Sequence, residues 1–201
     1  MMTSGFKRDQ SEILVPILND LTEMILTLRN AFNRQNQSYL HETTKIQKRL
    51  AQDIEVAKKE AVGLSSSEKL VVRLQSILSH MELIQDAINE LVDPLKKQIR
   101  EGILFSNKGM MQTNFLFDHE AGIFRSLADI FLTENPILRD YVLEKIEDMS
   151  QKCIDFATDH EARLIEGLCL PQAAPVFLAI LDSIRTISHH EHEIVRLLQE
   201  G

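Results

Sequence analysis

Two groups of side chains have types and spacings suited to holding a cation. Glu82 and Asp86 stand four residues apart, so on a helix their carboxylates lie one turn apart on one face and can reach a common ion. His189, His190 and His192 alternate with Glu191 and Glu193. Of these, His189, His192 and Glu193 share a helix face, and imidazoles suit zinc, iron, copper or nickel better than calcium or magnesium. Spacing alone does not single out the first group. Five acid pairs occur at this interval, 82/86, 86/90, 140/144, 144/148 and 155/159, and random placement of the acids gives about four to five. A solvated helix face is therefore an equal reading for Glu82 and Asp86, as a histidine-tolerant helix end is for the second group. Further oxygen ligands would have to come from a neighbouring helix, where Asp20 and Glu23 are the candidates. Arg185, one turn before His189, opposes a cation there and is suited to a metal-free ion pair with Glu82, Asp86 or another acid.

Other chemistries find little support. A di-iron, oxygen-binding bundle is the competing enzyme reading, but it calls for Glu-x-x-His pairs, and none occurs; only His189 with Glu193 gives His-x-x-x-Glu. The serines and cysteines lack an activating context for nucleophilic hydrolysis, and no glycine-rich phosphate cradle is present. Cys153 and Cys169 are expected as free thiols beside helical apolar pattern. His160 and Arg163, just before Gly167, are expected to orient a helix–helix turn rather than bind a ligand. A formal net charge of −8 argues against nucleic acid, whose phosphates attract basic faces. The chain is expected not to be an enzyme.

The elements that must position these residues are helices. Apolar residues recur at i, i+3, i+4 and i+7 almost throughout, while strand-like alternation is missing. The first helix is expected from about Ser11 to Ala31, its regular part starting late because Pro16 suits a first turn. The second is expected over Ser38–Val62, ending at Gly63. A capping box from Ser65 to Glu68 would open the third, which runs to Arg100 with a bend at Pro94. The fourth covers about Phe105–Leu132. Asn135 with Pro136 starts the fifth, which ends near Gly167, and Pro171 opens the sixth. A shift of 103 residues places Leu21 on Phe124, Leu50 on Cys153, Leu74 on Phe177, Ile77 on Ile180 and Leu91 on Ile194. The expected fold is all-α: two pseudo-repeated antiparallel three-helix bundles, residues 1–102 and 103–201. In the same register Glu82 falls on Arg185 and Asp86 on His189, so the two halves have unequal polar positions. No run has the form of a secretion signal or the length to cross a bilayer, so the expectation is a cytoplasmic chain that meets a membrane only by docking on a membrane protein.

Several segments together resemble the PhoU family. "SILSHMELIQDAINELV" from Ser76 is similar to its third-helix signature, with Glu82 and Asp86 in the acid-x-x-x-Asp places. "LFSNKGM" from Leu104 and "DHEARLIEGLCLP" from Asp159 resemble PhoU-like domains of sodium/phosphate cotransporter-related proteins; in the latter the pattern falls on His160, Arg163, Leu164, Gly167 and Cys169. "LDSIRTISHHEHEIV" from Leu181 occupies the place of the second signature but departs from it, with Arg185 and His189 where acids are usual. The resemblance implies a PhoU-like regulator of phosphate uptake and phosphate signalling that acts by protein–protein contact with a phosphate transporter or sensor kinase, as a homodimer. It also implies iron or zinc on the acidic signatures, here Glu82 and Asp86, with His189, His192 and Glu193 as an altered second set. The alternative is a metal-free helical adaptor.

Overall fold

A computed structural model describes residues 8–63 and 67–199. The described residues form seven α-helices in order: α1 Arg8–Arg34, α2 Gln37–Gly63, α3 Glu68–Asn89, α4 Val92–Glu101, α5 Asn107–Thr133, α6 Pro136–Ile165 and α7 Ala174–Gln199. The described residues form no strand, and the all-α expectation stands.

Local chemistry accounts for most helix ends. Asn135 accepts hydrogen bonds from the amides of Ile137 and Leu138, with Pro136 at the first helical position, where its missing N–H costs nothing. Ser106 accepts from the amide of Gly109 at the start of α5. Gly102 and Gly167 close α4 and α6 at φ +60° and +69°, in the left-handed region that glycine enters without a Cβ clash. Past Gly167, Leu168 N–H donates to the Arg163 carbonyl and Gly167 N–H to that of Leu164, which satisfies carbonyls that the helix end would strand.

Three expectations about boundaries change. Pro16 lies inside α1 rather than in its first turn; Gln10, Ser11 and Leu14 are buried ahead of it, so packing holds the turns that propensity would have given up. The third predicted helix is two, α3 and α4, broken at Glu90–Leu91 just before Pro94, which has no amide to continue the ladder. Pro171 opens a short 3-10 turn, Pro171–Ala173, and α7 begins only after it. Ser65 lies outside the described residues; the N-cap of α3 is Ser67, whose side chain makes no capping bond.

The halves repeat one plan, but in two registers. Gln35 and Glu134 both take positive φ, +46° and +51°, and the asparagine that follows each caps the next helix. These landmarks relate α1–α2 to α5–α6 by a shift of 99. The third helices keep the shift of 103, under which buried Leu74, Ile77, Met81, Ile84 and Leu91 fall on buried Phe177, Ile180, Ile184, Ile187 and Ile194. The two shifts differ by about one helical turn, which leaves the apolar stripe in place.

The packing joins the halves along two seams. α1 lies along α5 and α3 along α7, while α2 flanks α1 and α3 and α6 flanks α5 and α7. Leu14, Leu18, Leu21, Met24, Ile25 and Leu28 of α1 are fully buried because that helix is covered from several sides. Phe105, where the chain crosses between halves, stands edge-on to Phe32 with centroids 4.9 Å apart and reaches Phe177 at 6.3 Å. Such aromatic edges add specific contact to the area that they bury.

Candidate functional site

The expected ligand residues point to different neighbours. Glu82 is taken by α2, where Lys58 Nζ lies 2.5 Å from its Oε2. Asp86 is exposed. Asp20 and Glu23, the supposed further ligands, are both held by Arg49: its Nε and Nη2 donate to Asp20 at 2.9 and 2.7 Å, and Nη2 also to Glu23 at 2.9 Å. On the other flank, His189 and His192 line an open groove of about 790 Å³ between α6 and α7, together with Arg185, Asp182 and Glu147. Glu193 pairs with Arg196 at 2.7 Å and lies 3.7 Å from His192. Among the described residues, no three His, Cys, Asp or Glu side chains are grouped, in the positions they now hold, so that they could bind a metal ion. The acidic signature thus carries a lysine ion pair on the first flank, and an arginine stands in its place on the second. His190, the middle histidine, turns to α3 instead and meets His80.

The most perturbed chemistry is a pair of carboxyls that spacing along one helix does not mark. Glu120 on α5 and Glu191 on α7 are both fully buried, at 0% exposure. Two ionised carboxylates cannot hydrogen-bond each other, and among the described residues no other group donates to any of their four oxygens. A proton on one carboxyl supplies the missing donor to the other. Burial, far more than any neighbour, pushes Glu120 up to about 8 and Glu191 well above the usual carboxylate range. Cys153 of α6 sits close by, its thiol pushed up to about 12 by burial first and by the charge of Glu120 second. The repeat held a signal for this pair: at a shift of 99 Glu120 replaces Leu21, and at 103 Glu191 replaces Ile88, both core positions of the first half. An acid at an apolar repeat position marks an exchanged core. Cys153 and Cys169 are both free thiols, Cys153 buried and Cys169 half-buried.

His160 and Arg163 belong to a buried polar clamp. Arg163 Nη1 donates to Ser106 Oγ at 2.9 Å, Nη2 to Gln112 Oε1 at 2.7 Å, and Nε lies 3.2 Å from Asp159 Oδ2. Asp159 also accepts from Gln112 and pairs with Lys108. The lysine, with lesser contributions from Gln112 and Arg163, holds the Asp159 carboxyl below its ordinary range despite some desolvation. His160 packs on Phe177 with centroids 4.8 Å apart, and its Nδ1 lies 3.9 Å from Cys169 Sγ. The segments "LFSNKGM" and "DHEARLIEGLCLP" are therefore one structure: the second ties the end of α6 to the start of α5. Arginine suits it because a fixed guanidinium fork can serve three acceptors at once.

No family model matches this sequence, and no curated protein matches it significantly. Solved structures do resemble it. PhoU from Pseudomonas aeruginosa superposes with a TM-score of 0.82 at 14% identity, covering 94% of this chain and 93% of that one. The phosphate transport system regulatory protein PhoU from Streptococcus pneumoniae gives 0.80 at 12% identity, covering 94% and 91%. Over nearly its whole length, the chain has the PhoU fold.

Proposed function

We propose that this protein is a PhoU-like regulator of phosphate uptake and phosphate signalling, working by contact with a phosphate transporter or sensor kinase. The observation that carries the reading is the end-to-end likeness to two PhoU structures, one of them a phosphate transport system regulatory protein. The segments that resemble the family in sequence support it, since they meet in space at the Arg163 clamp. The working mechanism in this reading is partner contact through helix surfaces rather than catalysis, with the chain cytoplasmic and homodimeric. No helix among the described residues is long and apolar enough to cross a membrane, so a membrane partner would be met by docking. Iron or zinc at Glu82, Asp86, His189, His192 and Glu193 would need Glu82 to leave Lys58 and Arg185 to turn from the groove. For that reason the mechanism rests on contact and not on a carboxylate metal cluster.

Deletion in the native host, with uptake and alkaline phosphatase measured in high and low phosphate, tests the reading. Derepression in high phosphate, with capture of a phosphate transporter or sensor kinase by the purified chain, is the expected result. Unchanged uptake and phosphatase in the deletion strain, with no such partner retained, would point to the metal-free adaptor.

A further inference from the structure

The α3–α7 seam brings together two histidines from opposite halves of the chain, 110 residues apart in sequence. His80 Nδ1 lies 3.2 Å from His190 Nδ1, with ring centroids 5.3 Å apart and planes tilted by 42°. Both side chains are half-buried. Nitrogens this close share one proton: one ring donates its N–H and the other offers a lone pair. The accepting ring already offers one lone pair, and a change of tautomer on the donating ring frees the second without loss of a proton.

The separation is the one that a tetrahedral metal asks of two ligands. Nitrogens about 2.0 Å from zinc at the tetrahedral angle lie about 3.3 Å apart. One turn along α7, at i+3 from His190, stands Glu193, whose negative charge is felt by both rings. Its carboxylate is presently held by Arg196 at 2.7 Å. We propose that His80 and His190 bind one divalent transition-metal ion of the zinc class at the α3–α7 seam. Glu193 exchanges Arg196 for the cation as third ligand, and water completes the tetrahedron. No net proton leaves: the ring carrying its proton on Nδ1 moves it to Nε2. The ion would tie the two halves together at their second seam, and the proposal stands independently of the regulatory reading. It differs from a site at His189 and His192, which face the α6–α7 groove.

The test uses the full chain without a histidine tag, titrated with zinc alone by calorimetry and with cobalt(II) by visible absorption. Expected is one equivalent of zinc, and for cobalt the intense visible bands of tetrahedral coordination. His80→Gln and His190→Gln should each weaken zinc at least about tenfold, the scale of losing one good ligand, while His189→Gln stays within about twofold. Arg196→Gln should tighten binding, since it frees Glu193; this variant keeps both imidazoles and cannot fail for want of them. Zinc at about a hundred times its Kd should raise the Tm of the native chain by about 5 °C and leave that of His80→Gln in place. Far-UV circular dichroism of metal-free His80→Gln confirms that it folds. Absence of one-equivalent binding would overturn the proposal, as would a loss that follows His189→Gln rather than His80→Gln and His190→Gln.

Discussion

Replacing Glu120 by glutamine should change how the stability of this protein depends on pH, because the native fold requires a proton that the unfolded chain gives up. Glu120 is fully buried against Glu191, with no donor from any other group among the described residues. Its folded value is pushed from 4.5 to about 8. A carboxyl raised in the folded state contributes stability that is complete below its unfolded value and is lost as the pH rises through the folded one. Each pH unit in that window costs about 1.4 kcal/mol. The native chain should therefore lose roughly 3 kcal/mol through Glu120 between about pH 4.5 and pH 7, and up to about 5 kcal/mol by about pH 8. Glutamine has nearly the same shape, needs no proton, and its amide can donate to Glu191. Glu120→Gln should consequently match the native chain within about 1 kcal/mol near pH 4.5 and exceed it by about 3 kcal/mol at neutrality. Urea unfolding at several pH values across this window measures the difference, in which carboxylates outside the Glu120–Glu191 pair cancel. Parallel profiles for the two proteins would refute the reasoning, since they would mean that Glu120 is ionised in the native state without penalty.

Three further outcomes follow from the packing. Arg163→Lys should fail to restore the clamp, because a single ammonium cannot serve Ser106, Gln112 and Asp159 together; a loss of about 3 kcal/mol is expected from equilibrium unfolding, and a loss under about 0.5 kcal/mol would deny the clamp its structural role. Phe177→Ala, which empties a fully buried site between Phe105 and His160, should cost about 3 to 5 kcal/mol by the same measurement. Glu82→Gln breaks a half-exposed pair with Lys58, so less than about 1 kcal/mol of stability should be lost, and a larger loss would show that the pair is a buried element of the fold.

The helical class, the order of the helices and most of their ends were legible in the sequence because the causes are local. Apolar residues at helical spacing, Asn135 before Pro136, and Gly102 and Gly167 at left-handed turns act within a few residues of themselves. The doubled plan was legible too, but not its register. Stripes displaced by one turn coincide, so a sequence comparison cannot separate a shift of 99 from one of 103; the paired turns at Gln35 and Glu134 distinguish them. Only tertiary structure decided which polar residues meet. Glu82 faces Lys58 rather than Asp86 or Arg185, His190 faces His80 while its neighbours His189 and His192 turn to α6, and Glu120 and Glu191 share one buried site. The physical reason is that a helix fixes the relative directions of residues on its own faces, whereas the partner of each face is set by how the helices pack. The chemistry of a buried carboxyl or a half-buried imidazole depends on that partner, and a spacing rule within one helix does not contain it.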